Sequence, residues 1–281
     1  MEMVKARLIA AVAALALCPA ALAQHTFSWE TFPMDGHRAG VSIPGTDNIA
    51  EALGVVEDGV YTAPNGVRYK GGATAAVAQL LIDAQPAMAS VKTVVGVCPG
   101  GMIRKNPALG NMIVDRLMTV GERETGIKVD LGLINRGGIR CDLPDGTVIL
   151  DDILSMLPFK NCVNVVTLKG SDLLKLFEDM ARNKMQIIGG AEAVVRGHKL
   201  VSLKIKGQKV QRGKLYNLAT IDFLLDGGDG IYAARNAVSL ASTPILIKEV
   251  LLEYVADLTA QGLPITYDDT SRITYLEEDK K

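Results

Sequence analysis

The chain has 281 residues, of which 48% are hydrophobic and 22% charged, with a formal net charge of −1 at neutral pH. These values suit a globular protein that buries a full core and exclude an intrinsically disordered chain. A near-zero charge without basic blocks argues against a nucleic-acid polymer as partner, since duplex binding needs a basic surface.

At the start, Lys5 and Arg7 precede an apolar run from Leu8 to Leu17, and Pro19 leads to Ala21-Leu22-Ala23 before Gln24. This is the layout of a signal peptide cleaved after residue 23, and the run is too short to span a bilayer. Lipid anchoring at Cys18 is the poorer reading, because bulky Leu17 stands where a small residue is expected. The expectation is an exported protein, periplasmic in a bacterium or secreted, with no transmembrane segment. Cys98, Cys141 and Cys162 follow the cleavage point; an odd number leaves at least one thiol unpaired, and no Cys/His spacing suggests a metal.

Residues 24–90 read as an extension packed on a main domain, 91–281. In the extension, Val60-Tyr61-Thr62 and Val67-Arg68-Tyr69 flank Ala63-Pro64-Asn65-Gly66, which predicts a hairpin turning at Asn65-Gly66. Asp35-Gly36-His37 has the Asp-x-His spacing that can open a two-metal site, but the chain holds only His25, His37 and His198. Gly110-Asn111 is followed by Met112, and Gly197-His198 by Lys199, so the further ligands of such a site are missing and Asp35 and His37 are read as turn residues. No metal ligand and no catalytic residue is assigned. The spacing of Ala76, Val77, Leu80, Leu81 and Ala84 predicts a helix over 74–84 that Pro86 ends or kinks.

Within the main domain, a strand is predicted over 91–97 and an amphipathic helix over 109–120, with Ile113, Val114, Leu117 and Val120 on its apolar stripe. A buried strand over 129–134 ends in Asn135-Arg136-Gly137-Gly138-Ile139-Arg140, where two glycines allow a tight turn and two arginines offer forked donors for phosphate or carboxylate. Leu157-Pro158-Phe159-Lys160-Asn161 precedes a strand over 163–168 and a helix that buries Leu173, Leu176, Phe177 and Met180. Residues 194–210 alternate as antiparallel strands, with Lys199, Lys204, Lys206 and Lys209 on a solvated face. A strand over 216–225 delivers Phe223 ahead of Gly227-Gly228-Asp229-Gly230. A last helix is expected to start at Pro244 and stop at Gly262-Leu263-Pro264, before a polar tail over 277–281.

Two segments pair an aromatic with a hydrogen-bonding residue a turn away, Phe159 with Asn161 and Phe223 with Asp229, among only five phenylalanines. Flat rings beside directional polar groups suit a nucleobase, whose stacking contributes roughly 1–3 kcal/mol per base. Taken with Leu109-Gly110-Asn111, the Asn135 to Arg140 turn and Ala219-Thr220-x-Asp222-Phe223, these motifs resemble, in order from about Val94 to about Tyr232, the C-terminal domain of the 5'-nucleotidases. The resemblance implies a mixed α/β fold of layered mixed sheets flanked by helices, binding a nucleoside or nucleoside 5'-monophosphate. It implies that Phe159 and Phe223 sandwich the base, Asn161 hydrogen-bonds the base, Asp229 binds ribose hydroxyls, and Asn135, Arg140 and Arg104 meet phosphate oxygens. In that family the metals and the hydrolytic groups belong to a metallophosphoesterase domain. This chain is therefore expected to bind no cofactor and not to be catalytic alone, with divalent metals carried by a separate metallophosphoesterase. The competing reading is an exported, non-catalytic module that has lost or changed its ligand.

Overall fold

The computed structural model describes residues 47–277. The signal peptide, Cys18 and the Asp35-Gly36-His37 turn lie outside the described residues. Among the described residues no helix is long and apolar enough to cross a membrane.

A short helix α1 (Ile49–Leu53) leads into a three-stranded antiparallel sheet of β1 (Val55–Glu57), β2 (Val60–Thr62) and β3 (Arg68–Lys70), followed by α2 (Gly72–Ala84). The predicted hairpin is β2–β3, but its turn spans Ala63 to Gly66: the Gly66 N–H donates to the Ala63 carbonyl at 2.8 Å, placing Pro64-Asn65 at the centre. Proline fixes the φ that the first central position needs, so it takes that place ahead of the Asn-Gly pair. Helix α2 forms where predicted but buries Ala75 and Ala78, leaving Val77, Leu80 and Leu81 exposed. It stops before Pro86, which opens a 3₁₀ segment, Pro86–Lys92.

The main sheet has five strands in the order β13-β7-β12-β5-β8, where β5 is Leu131–Ile134, β7 Cys162–Lys169, β8 Ile187–Gly189, β12 Leu215–Ile221 and β13 Ser239–Leu246. Strand β12 runs parallel to β5 and antiparallel to β7. Its residues are buried along most of their length, as the apolar pattern requires of a central strand. A four-stranded sheet, β11-β10-β9-β14, is built from β9 (Ala191–Arg196), β10 (Lys199–Ile205), β11 (Gln208–Lys209) and β14 (Ile273–Leu276), and β4 (Val94–Cys98) pairs with β6 (Gly146–Ile149). The fold is mixed α/β. Of the lysines expected on a solvated face, Lys199, Lys206 and Lys209 are exposed and Lys204 is half-buried.

Helix α3 (Pro107–Thr125) buries Leu109, Met112, Ile113, Val114, Leu117 and Val120, each contributing roughly 1.5–3 kcal/mol of burial. It lies so close to β5 that a Cβ at Gly132 would sit 2.7 Å from Val114 Cγ2 and 2.8 Å from Met118 Cγ. Helix α4 (Leu150–Met156), which sequence periodicity did not reveal, starts where the buried Asp152 carboxylate accepts the Ile149 N–H at 2.8 Å. Helix α5 (Gly170–Arg182) buries the predicted Leu173, Leu176, Phe177 and Met180 against β7, β10 and β12.

Several predicted boundaries move: the strand expected over 91–97 starts at Val94, after the 3₁₀ segment, and that expected over 129–134 starts at Leu131. The strand expected over 216–225 ends at Ile221, and Asp222–Leu224 is a 3₁₀ turn in which the Asp222 carboxylate accepts the Phe223 N–H at 2.7 Å. The last helix, α6 (Ile247–Ala260), starts after Pro244, which belongs to β13. That strand edges the sheet and its register slips between Ser242 and Leu246, the kind of position where a residue without an N–H is tolerated.

The C-terminal segment is fastened to α3 by a charged knot. Arg272 donates from both terminal nitrogens to the Asp115 carboxylate at 2.7 Å, Tyr267 donates its hydroxyl to Asp115 at 2.8 Å, and Asn111 donates to the carbonyls of Asp268 and Thr270. Burial, then the hydrogen bond to Asp115, raises the Tyr267 phenol. Hydrogen bonds to charged groups contribute roughly 1.5–3 kcal/mol each, so Arg272→Ala is expected to lower stability by at least about 2 kcal/mol. In urea unfolding the midpoint should fall with little change in slope; an unchanged midpoint would remove the knot from any account of stability.

Candidate functional site

Strand register decides what meets at the end of the main sheet. Leu218 lies opposite Leu131 and Ala219 opposite Gly132 in the parallel pair, while Ile221 lies opposite Val163 in the antiparallel pair. The carboxyl ends of β5 and β12 and the amino end of β7 therefore share one edge. Just beyond it come Asn135 after β5, the turn carrying Phe223 after β12, and Phe159 to Asn161 ahead of β7. In sheets of this kind ligands bind outside the carboxyl ends of the strands. The buried Thr220 hydroxyl donates to the Leu133 carbonyl at 2.9 Å and reinforces the β5–β12 contact there.

Two groups of side chains stand at this edge. In the first, Phe159, Asn161 and Asn135 line a small, mostly apolar cavity with Ile139, Ile221 and Ile247. Phe159 is 46% exposed, whereas Phe177 in the core is 0% exposed, so the Phe159 ring is offered to the surface rather than used in packing. The Arg140 guanidinium lies over the Phe159 ring at 5.9 Å. The Asn161 carbonyl accepts the Ile247 N–H at 2.9 Å, and its carboxamide makes no hydrogen bond within the described residues.

The second group is Phe223, 45% exposed, with the loop Gly227 to Gly230. Asp229 is held at φ 50°, a left-handed conformation uncommon for a residue with a side chain. One hydrogen bond joins the groups: Asn135 Nδ2 donates to Asp229 Oδ2 at 2.8 Å. That contact orients Asn135, which is 6% exposed, and leaves its Oδ1 buried without a donor.

The arginines gather beside the first group. Arg140 donates to the Gly137 carbonyl at 3.0 Å and has no carboxylate partner among the described residues. Arg104 donates from Nη1 to the Arg140 carbonyl at 2.8 Å, while its Nε stands 3.9 Å from Asp142. Arg136, the other arginine of the turn, instead reaches toward the Met185 carbonyl, and its backbone N–H donates to Gln186 Oε1. Phe159, Asn161, Asn135, Arg140, Arg104 and Asp229 thus form one continuous chain of contacts. Phe223 joins through the Gly228 loop and does not line the Phe159 cavity. Ile221 and Ile247 were not singled out from sequence; each reads as an ordinary core residue, and only the pairing of distant strands brings it to the cavity.

A larger concavity lies elsewhere, a cleft of about 880 Å³ between α3, β9 and the segment before β14. Its central charges, Asp115 and Arg272, are already paired with each other. Among the described residues no three His, Cys, Asp or Glu side chains cluster as metal ligands would.

Against this geometry, residues 59–236 match the family described as 5'-nucleotidase, C-terminal domain. The chain belongs to that family. It is 30% identical over 131 residues to silent protein UshA(0) of Salmonella typhimurium, covering 45% of this chain and 24% of that protein. It is 28% identical over 172 residues to an apyrase of Tabanus yao, covering 53% and 30%. The matched region thus spans about a quarter to a third of these relatives' lengths. Among solved structures, a 5'-nucleotidase precursor from Thermus thermophilus superposes with a TM-score of 0.63 at 23% identity, over 78% of this chain and 46% of that one. Structural likeness at this level establishes the fold.

No disulfide joins Cys98, Cys141 and Cys162, so the one that the sequence allowed is not formed among them. Cys162, next to Asn161, is partly exposed; burial, then the charges of Asp222 and Glu249, pushes its thiol up. Cys98 is fully buried and pushed up to about 11, by burial first and the Asp145 charge second. A thiol reagent at pH ~8 is therefore expected to modify Cys162 slowly in the native protein and to reach Cys98 and Cys141 only after unfolding. Peptide mapping checks this, and native labelling of Cys98 would contradict the packing around β4.

Proposed function

We propose that this chain is the nucleotide-recognition domain of a 5'-nucleotidase-type hydrolase, binding a nucleoside 5'-monophosphate at the edge formed by β5, β7 and β12. The observation that carries the reading is the linked pair of exposed rings. Phe159 and Phe223 stand on either part of an assembly joined by the Asn135–Asp229 hydrogen bond, and beside it Arg140 has no carboxylate partner among the described residues. A ring that stays in water in the free protein gains by covering a base, and the free Asn161 carboxamide can then select that base by its hydrogen-bonding edge.

In this reading Phe159 and Phe223 hold the two faces of the base. Asp229 accepts hydrogen bonds from ribose hydroxyls through the oxygen not engaged by Asn135. Arg140 and Arg104 supply donors to phosphate oxygens, and Asn135 lies between the ribose and phosphate ends. Such contacts orient a substrate; they do not by themselves lower the barrier to hydrolysis. The metal ions and reacting groups would come from a separately encoded metallophosphoesterase, which would make the pair part of nucleotide breakdown outside the cytoplasm. The apolar run over 8–17 with its Ala21-Leu22-Ala23 site supports export of the chain.

Calorimetric titration with AMP and adenosine tests the reading. Binding in the micromolar to millimolar range is expected, weakened roughly tenfold or more by Phe223→Ala, the loss of about 1.4 kcal/mol of stacking. Arg140→Ala should weaken AMP and leave adenosine nearly unchanged, because only AMP carries the charge that the guanidinium meets. Absence of binding by well-folded wild-type protein would favour the module that has lost or changed its ligand.

A further inference from the structure

The Gly227 to Gly230 loop does more than present Asp229. A Cβ built at Gly228 would lie 2.0 Å from the Phe223 carbonyl oxygen and 2.7 and 2.8 Å from ring atoms Cδ1 and Cε1. The first of these is a backbone atom, so no side-chain rotation could relieve the overlap. Gly228 is thus required by close approach and not by its own φ, which lies outside the left-handed region. The next residue, Asp229, does take a left-handed conformation, and its carboxylate is tied to Asn135 at 2.8 Å. Within the loop, the Gly227 N–H donates to the Ile231 carbonyl at 2.7 Å and the Ile231 N–H donates back to the Gly228 carbonyl at 2.9 Å. One face of this short loop therefore sets the plane of an exposed ring, while its next residue is anchored to the Asn135 turn.

We propose that Gly228 is a positioning residue that locks the Phe223 ring to Asp229, so that base stacking and ribose binding operate as one rigid unit. The proposal deepens the nucleotide-binding reading and rests on it. Its physical basis is preorganisation: an exposed ring held by a backbone contact loses little freedom when a base covers it. Because the Asp229 carboxylate is anchored to Asn135, a side chain at Gly228 displaces the 3₁₀ turn that carries Phe223 and leaves Asp229 in place, so the ring moves out of register with the ribose. A ligand lacking the base does not sense the ring at all.

The test compares AMP with ribose 5-phosphate, which keeps the sugar and phosphate and lacks the base, against wild type, Gly228→Ala, Phe223→Ala and the double variant. Gly228→Ala should weaken AMP roughly tenfold or more, toward the level of Phe223→Ala, while ribose 5-phosphate changes less than about twofold. The double variant should bind AMP no more weakly than Phe223→Ala, since Gly228 acts through the ring. Equal losses for both ligands, or losses in the double variant that multiply, would overturn the proposal and leave Gly228 a general structural residue. Unaltered AMP binding by Gly228→Ala would overturn it while sparing the site reading. No AMP binding by wild type would overturn both. If Gly228→Ala does not fold, the cycle of Asp229→Ala with Phe223→Ala decides instead. Coupled losses are required, and losses that simply multiply would show ring and loop to be independent.

Discussion

The pairing of β12 with unlike neighbours is the constraint on which the site depends. Because β12 runs parallel to β5 and antiparallel to β7, the carboxyl end of β5 and the amino end of β7 arrive at the same edge. A slip of one residue in either pair would turn buried side chains outward, which the nearly continuous burial of all three strands forbids. The rings, the carboxamides and Arg140 are thereby placed by the core. Helix α3 enforces the arrangement from above β5, where Gly132 lets Val114 and Met118 approach closely.

Polar groups at this edge are arranged by connection more than by burial. Asn135 is the joint: its backbone ends β5, its side chain faces the Phe159 cavity, and its Nδ2 holds Asp229. Donation from Nδ2 to a carboxylate fixes which way the amide points, and Oδ1 is left buried without a donor, a cost that folded proteins accept chiefly at functional or strained positions. The left-handed backbone at Asp229 is a second cost on the other side of the same hydrogen bond. Two such features share one contact, and the Asn135–Asp229 pair, more than any single cavity, is the centre of the candidate site. The larger cleft beside α3 shows the opposite arrangement, with Asp115, Tyr267 and Arg272 satisfying one another.

Much of this was legible in the sequence, and what was not has identifiable physical causes. Long apolar periodicities located α3, α5 and the central strands, because burial on one face or both leaves a period that local neighbours cannot hide. Phe159 and Phe223 stood out since they lie beside turn residues, and both are exposed. The strand end at Ile221 was missed because the hydrophobic run continues through Leu225; what stops the strand is the Asp222 carboxylate folding back on the Phe223 N–H, a local competition that periodicity does not register. Pro244 misled as a helix start because an edge strand with a register slip tolerates it equally well. In α2 the apolar stripe was read correctly as helical, yet packing selected the alanines.

The contribution of Gly228 belongs to a kind that sequence reading reaches only halfway. A run of glycines around Asp229 announces a tight turn, and the usual inference is that each glycine supplies a backbone angle. At Gly227 and Gly230 the angles are of that kind, with φ of 102° and 74°. Gly228 lies between them with no such need, and what excludes a side chain is the carbonyl and ring of Phe223, in the preceding 3₁₀ turn. The distinction matters for function, because an angle constrains only the loop, whereas a contact transmits the loop's position to Phe223. The ring and the carboxylate then inherit one another's precision, and the edge of the sheet, fixed by the register of β12, supplies the frame in which both are aligned.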